Sequence, residues 1–267
     1  MSKTKSGGGF SSLVASLAIV IAVVIGVLVY KFILGDPSNF VDNNPDEHPV
    51  DGNLLGTIYK GGVIVPFLIA TNITVLIFAV ERFITLAKSK GRGNIDKFVV
   101  KVKALLEEGD VTGAIEACDQ QQGSLANVMR AGLEKYAVLA NDSSMDKEKK
   151  LELIKEELEA ATSLELPMLS KNLVVISTCA SVGVLIGLIG TVIGMIRSFS
   201  AMAGGTPDTA QLSVGISEAL INTFLGIFAS TISILMYNLF TTKIDQMTHS
   251  MDEASFAIAQ SFDNKAK

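Results

Sequence analysis

Charged side chains are scarce in this sequence: they make up 18% of its 267 residues against 49% apolar ones, and mean hydropathy is +0.44. That is too oily for an ordinary soluble domain of this length, so a membrane protein is expected. Basic residues are in deficit, with 22 Lys and Arg against 27 Asp and Glu, which argues against a general nucleic-acid or anionic-membrane binder. Cysteine is limited to Cys118, in a charged amphipathic region, and Cys179, in an apolar run, so no disulfide is expected between them. Histidine is limited to His48 and His249, in polar segments far apart in sequence, and no metal site is expected. Nor is there a nucleophile–base pair or a phosphate-binding glycine loop, so the sequence points to no catalytic residue and away from an enzyme.

What the chain does have is long uncharged runs. Leu13 to Tyr30, Gly61 to Val80 and Asn172 to Ile196 contain no charged residue, and each can cross about 30 Å of hydrocarbon at about 1.5 Å per residue. A fourth run, Leu212 to Thr242, is uncharged except for Glu218. The first run follows Lys3 and Lys5 like a signal peptide, but it is longer than a usual apolar core and Lys31, Phe32 and Ile33 follow without a small-residue cleavage site. An uncleaved helix is the expectation.

Charge sets the orientation. The segment from Gly35 to Lys60 carries Asp36, Asp42, Asp46, Glu47 and Asp51 against Lys60, whereas Arg82, Lys88, Lys90 and Arg92 follow the second run. By the positive-inside rule the acidic loop is external and the Arg82 end cytoplasmic. Ser198 to Gln211 has no Lys or Arg, and the tail has Lys243, Lys265 and Lys267, so both termini are expected in the cytoplasm.

The roughly 90 residues between the second and third runs are too many for a turn. Phe98, Val99, Val102, Leu105 and Leu106 recur at helical spacing, Gly109-Asp110 breaks the pattern, and Val111 to Cys118 resumes it. A helix holding Val128, Leu133 and Tyr136 precedes a polar break at Asn141 to Ser144. Lys147 to Leu166 then predicts a highly charged helix whose charges form a solvated face.

Gly204-Gly205 followed by Thr206-Pro207-Asp208 is a helix stop and restart, so the last two runs form an antiparallel hairpin of helices roughly 48 Å long that outrun the bilayer. Glu218 falls about 16 Å along the second of them, within the hydrocarbon depth. A carboxylate there costs several kcal/mol (roughly) unless it faces protein, water or a partner. On a helical wheel Gly215, Glu218, Asn222, Gly226, Ser230, Ser233 and Tyr237 share one side, with Thr223 at its margin. Leu220, Ile221, Phe224, Phe228 and Leu235 lie opposite. The third run has a matching face of Ala180, Gly187, Thr191, Gly194 and Ser198, with Gly183 and Gly190 beside it. Small residues of this kind permit close helix packing, and Glu218 adds the expectation of an ionisable function.

Gly187-Leu-Ile-Gly-Thr-Val-Ile-Gly-Met195, Gly215-Ile-Ser-Glu-Ala-Leu-Ile-Asn-Thr223 and Tyr237-Asn238 together resemble the MotA/TolQ/ExbB proton channel family, most closely its ExbB and TolQ branches. Gly109-Asp110 and Arg130-Ala-Gly-Leu133 fit more loosely. The resemblance implies an all-α polytopic protein of the bacterial inner membrane, a homopentamer whose last two helices line a pore around a dimer of single-span ExbD- or TolR-like proteins. Protons would be the coupling ion, with no other cofactor, and the work would reach the outer membrane through a TonB- or TolA-like partner. It assigns Thr191, Glu218 and Thr223 to the ion path. Gly183-Val184 and Ile232-Ser233 stand where family members often have prolines, and the Leu13 to Tyr30 helix looks like an added module.

The organisation expected from sequence and resemblance is therefore a cytoplasmic N-terminus and extra spanning helix over 1–34, an acidic periplasmic loop over 35–60 and a spanning helix over 61–82. A cytoplasmic helical domain follows over 83–171, then the long hairpin over 172–242 and a cytoplasmic helix or tail over 243–267. A passive scaffold for single-span partners and a MotA-like stator for motility are the alternative functions. A solute transporter acting alone is disfavoured by the lack of inverted repeats or discontinuous helices.

Overall fold

The computed structural model describes residues 7–140, 144–202 and 209–265. Its architecture is helical: α1 (Gly7–Leu28), α2 (Leu54–Tyr59), α3 (Val65–Ser89), α4 (Ile95–Glu108), α5 (Val111–Gln121), α6 (Gly123–Ala140), α7 (Lys147–Ser170), α8 (Leu173–Met202) and α9 (Thr209–Lys265). No strand occurs among the described residues, where the only sheet-like feature is an isolated bridge between Phe40 and Pro49. Four helical stretches are long and apolar enough to cross a membrane: Ser16–Leu34, Gly62–Ser89, and segments within Lys147–Met202 and Thr209–Asn264. The chain is thus an all-α polytopic membrane protein. The expected stop and restart at Gly204 to Asp208, and most of the polar break at Asn141 to Ser144, lie outside the described residues.

Two compact units are present, Met1–Val80 with Asn172–Asn238, and Glu81–Lys171 with Leu239–Lys267. In the first, α1 crosses α3 where Gly26 lets the backbones meet; a Cβ on Gly26 would lie 2.5 Å from the Pro66 carbonyl oxygen. The last turn of the first apolar helix widens into a π-helical segment, Val29–Leu34, whose Ile33 and Leu34 carbonyls accept from Asn39 Nδ2 at 2.8 and 3.0 Å. That contact turns the acidic loop back on itself. Asn53 Nδ2 donates to Asn39 Oδ1, Tyr59 stacks on Tyr30 with centroids 4.7 Å apart, and Lys60 donates to the carbonyls of Pro45 and Asp46. The loop is a folded cap.

The α8–α9 seam explains the glycines. A Cβ on Gly183 would meet Ala229 Cβ and the Gly226 carbonyl oxygen at 3.2 Å, and on Gly187 the Asn222 carbonyl oxygen at 2.9 Å. One on Gly190 would meet Asn222 at 2.4 Å, and one on Gly194 the Gly215 carbonyl oxygen at 2.6 Å. Four glycines spaced four, three and four residues apart follow one stripe of the helix, so any side chain there would push α9 away. The wheel side holding Gly215, Glu218, Asn222, Gly226, Ser230 and Ser233 is buried, with Tyr237 half-buried at its end. Leu220, Phe224, Phe228 and Leu235, opposite, are exposed at 50–67%, whereas Ile221, expected with them, is half-buried beside Gly61. Gly194→Leu is expected to separate the hairpin, lowering the detergent-solubilised protein's thermal midpoint by several degrees, while Leu220→Ala on the exposed face leaves it nearly unchanged.

In the second unit α4 begins at Asn94, whose Oδ1 accepts from the Asp96 and Lys97 amides. It ends at Gly109, which takes the left-handed conformation at φ 89°. Asp110 then caps α5 by accepting from the Gly113 amide at 2.8 Å, so the Gly109-Asp110 break is a cap followed by a cap. Gly132 in α6 leaves room for Leu158 of α7. The helix through the fourth apolar run does not stop near Thr242. It continues to Lys265, burying Phe240, Ile244, Met251, Ala254, Ile258 and Phe262, whose steps of four, seven, three, four and four residues keep them on one face of the helix. Phe262 packs edge-on against Tyr136 at 5.0 Å, and Lys103–Glu253 and Lys147–Asp263 ion pairs flank this packing. The described part of the stretch expected as a helix or tail, 243–265, is therefore helical, and one face of it belongs to this unit's core.

Of the four cations that follow the second apolar run, Lys88, Lys90 and Arg92 are exposed but Arg82 is only 1% exposed. Its guanidinium pairs with the neighbouring Glu81 carboxylate and donates to the Leu169 carbonyl at 3.1 Å. A cation at the last carbonyls of α7 satisfies acceptors left open at a helix end and complements its dipole. Arg82 is a packing residue as well as a charge.

Cys118 is 2% exposed in this unit, and burial together with the Asp119 carboxylate pushes its thiol up to about 12. Deprotonation is easier in the unfolded chain, so the thiol's contribution to stability is complete below about pH 9 and is lost as pH rises toward about 12. Alkylation of Cys118 in a Cys179→Ala background is accordingly expected to be at least about ten times slower than for a free thiol at pH 8, and denaturant should abolish the difference.

Candidate functional site

Nine residues into α9, about 14 Å along its axis, Glu218 is 1% exposed. Its Oε2 accepts a hydrogen bond from Arg197 Nη1 of α8 at 2.6 Å, forming an ion pair in which the carboxylate is buried and the arginine side chain is 53% exposed. Oε1 has no hydrogen-bond partner among the described residues. Gly62 closes on that oxygen: its φ is +76°, and a Cβ there would sit 2.3 Å from Oε1. The left-handed backbone favours glycine at this position, and a side chain there would also have to displace the Glu218 carboxylate.

One turn further along α9, Asn222 is fully buried and its Nδ2 donates to the Gly61 carbonyl at 2.8 Å, leaving Oδ1 unpartnered. The Gly61-Gly62 segment entering α3 therefore holds Asn222 with one residue and covers Glu218 with the next. Thr191 of α8 and Thr223 of α9 are brought together, hydroxyl to hydroxyl. Each hydroxyl also lies 3.1 Å from a carbonyl of its own helix, Gly187 for Thr191 and Ala219 for Thr223, so with one proton apiece the two threonines make two of these three hydrogen bonds at a time. Neither threonine bonds Glu218. The hydroxyl pair and the carboxylate are separate, five residues or about 7.5 Å apart along α9.

Two of the site's groups are not evident from helical periodicity. Arg197 stands just beyond the uncharged run that ends at Ile196, outside the span as bounded by composition. The register of the glycine seam is the signal that finds it: once Gly194 lies against Gly215, the residue three positions on in α8 falls beside the turn of α9 that carries Glu218. The Gly61 carbonyl lies 161 residues from Asn222, and no local pattern announces such a bond. The glycines and serines assigned to pore lining or packing, namely Gly187, Gly190, Gly194, Gly215, Gly226, Ser230 and Ser233, are buried within the hairpin of this single chain. Ser233 spends its hydroxyl on the Ala229 carbonyl at 2.7 Å. Among the described residues no group of three or more His, Cys, Asp or Glu is placed to hold a metal.

A bundle of spanning helices with one acid, one base and two hydroxyls converging on a glycine-packed hairpin is the arrangement of a membrane protein that handles ions or charged side chains. The chain belongs to the MotA/TolQ/ExbB proton channel family, whose model matches residues 120–253, half of its length. It is 41% identical over 86 residues to a putative biopolymer transport protein ExbB-like 3 of Synechocystis sp., covering 31% of this chain and 41% of that protein. Identity is 28% over 165 residues to the Tol-Pal system protein TolQ of Pseudomonas aeruginosa, covering 58% and 71%. It is 30% over 196 residues to the biopolymer transport protein ExbB of Pseudomonas putida, covering 72% and 56%. The chain spans less than two thirds of the first and third of these relatives.

Gly62→Ala is expected to destabilise the site by more than the roughly 1–2 kcal/mol that a left-handed φ costs an L-residue. Gly52→Ala is the control, since Gly52 has φ +79° with nothing within 4 Å of its Cβ position. A larger loss of thermal stability for Gly62→Ala than for Gly52→Ala measures the contact with the Glu218 carboxylate; equal losses would refute it.

Proposed function

We propose that this protein is the pore-forming subunit of a motor in the bacterial inner membrane driven by proton-motive force. In this reading five copies surround a dimer of single-span ExbD- or TolR-like helices, and both termini lie in the cytoplasm. Movement of the inner helices passes force through a TonB- or TolA-like protein to work at the outer membrane. Family membership supports the channel class. The names of the relatives, biopolymer transport proteins and a Tol-Pal system protein, point to the ExbB and TolQ branches rather than to a stator for motility.

The observation that carries the proposal is the buried carboxylate of Glu218 in a helix apolar enough to span a membrane. A group at that depth exchanges a proton when its electrostatic surroundings change, and each proton crossing the potential supplies about 2.3 kcal/mol per 100 mV. Thr191 and Thr223, whose hydroxyls both donate and accept, form the next station of the path. Asn222 holds the Gly61 segment and keeps one wall of the site in place.

The ion pair with Arg197 also favours a second reading, in which Glu218 only ties α8 to α9 and the chain is a passive scaffold for single-span partners. Glu218→Gln separates the two. It retains the side-chain shape and one hydrogen-bond acceptor but carries no exchangeable charge, so the motor is expected to assemble and to lose proton-dependent work by at least tenfold. Full complementation by Glu218→Gln, with partner binding lost when Gly187 is enlarged, is the scaffold's result.

A further inference from the structure

The geometry points to a binding site for one anionic phospholipid of the adjoining leaflet, with Lys90 and Lys243 on its headgroup phosphate and Phe83 and Phe240 against the top of its chains. All of these residues belong to the helical unit, and none takes part in the site around Glu218, so the inference does not depend on the motor reading. In the orientation proposed above the leaflet is the cytoplasmic one.

The burial of Arg82 resets where α3 leaves the bilayer. Charge alone ends the second apolar run at Val80, but Glu81 and Arg82 pair with each other and Arg82 packs on the end of α7. The exposed side of α3 meanwhile stays apolar, with Phe83 43% and Ile84 52% exposed and Ala87 beyond them. Its first exposed cations are Lys88 and Lys90. From Val65 to Lys88 the helix covers about 34 Å at about 1.5 Å per residue, close to the roughly 30 Å of a hydrocarbon core. On α9 the first cation after the uncharged run is Lys243. Both helices therefore reach the headgroup level at a lysine.

Between these lysines lies a cavity of about 480 Å³, walled by the end of α3, the start of α4 and one side of α9. Part of its lining is apolar, where the Phe83 and Phe240 rings meet edge-on with centroids 4.9 Å apart. Lys243 Nζ stands 5.2 Å from the Phe83 centroid, so the ammonium borders directly on that apolar part. Lys90, Gln246 and Ser250 line the rest with hydrogen-bond donors. Among the described residues neither Lys90 nor Lys243 has an ion-pair partner, and Asp96 is the one acid in the lining. Two cations from different helices thus share a cavity with a single carboxylate, in a chain whose acids outnumber its bases. A ligand that suits this lining is a compact anion joined to apolar chains. Lysine ammonium groups bind phosphate as point charges, and basic pockets at this level take anionic headgroups. A free phosphate would satisfy the lysines but leave the aromatic wall bare.

The test titrates the full-length protein, delipidated in detergent, with phosphatidylglycerol or phosphatidylcholine of matched chains and counts bound lipids by native mass spectrometry. The wild type is expected to bind one phosphatidylglycerol per chain at least about tenfold more tightly than phosphatidylcholine, as two lysines at the headgroup level predict. Lys90→Gln with Lys243→Gln is expected to abolish that preference, and Lys90→Arg with Lys243→Arg to retain it. Lys97→Gln with Lys101→Gln removes the same charge from exposed positions outside the cavity and is expected to leave the preference nearly unchanged. Equal losses in the two glutamine variants mean diffuse attraction and overturn the site, as does loss of the preference in the arginine variant or its absence in the wild type. Displacement of the lipid by millimolar inorganic phosphate overturns the phospholipid as the ligand.

Discussion

The structure of the membrane unit depends on how closely two backbones approach each other. Along α8 the positions facing α9 are Gly183, Gly187, Gly190 and Gly194, and α9 answers with Gly215, Ala219, Asn222 and Gly226. In a bilayer there is no hydrophobic gain from joining two apolar helices, so contact must come from close packing and from polar groups that find partners. Both are present on this seam. Close approach puts the Thr191 hydroxyl against that of Thr223, and lets Ser198 Oγ reach the Leu212 carbonyl at 3.1 Å. A wider seam would separate these short side chains.

The same approach fixes the electrostatics. With α8 and α9 in contact through Gly194 and Gly215, an arginine one turn beyond on α8 spans the remaining distance to Glu218. The cap formed by the acidic loop enters from the other side and contributes backbone alone: a carbonyl from Gly61 for Asn222 and the bare Cα of Gly62 beside Oε1. A segment that supplies no side chain walls in a carboxylate without competing for its charge. The helix preceding the cap, α1, is joined to this arrangement through the Tyr30–Tyr59 stack and through Asn39, which ties the loop to the end of the π-helical turn.

Much of this was legible in the sequence because it repeats with the helix. Uncharged runs of bilayer length marked the spans, and a wheel separated Glu218, Asn222, Ser230 and Ser233 from Leu220, Phe224 and Leu235 as the observed burial does. Gly109-Asp110 punctuated α4 and α5 through local cap chemistry. What periodicity did not supply was register between elements and the position of a helix end. Arg197 was hidden by its own polarity, because an apolar run is bounded by its first charge and a boundary is not searched for partners. The continuation of α9 past Thr242 was obscured by a change of environment: the apolar face narrows from a whole circumference to a stripe of Phe240, Ile244, Met251, Ala254 and Ile258 where polar residues begin. Arg82 was legible as a charge but not as the cap of α7, which requires Leu169 to lie next to it in space.

A buried acid that is already paired is a different object from the solitary carboxylate implied by composition. An uncompensated anion in hydrocarbon is too costly to persist, and it neutralises by taking up a proton. Pairing removes that cost only while the cation stays, and arginine keeps its charge. The Glu218–Arg197 pair thus makes the seam between α8 and α9 electrostatic as well as steric, since the two partners stand on opposite helices of the hairpin.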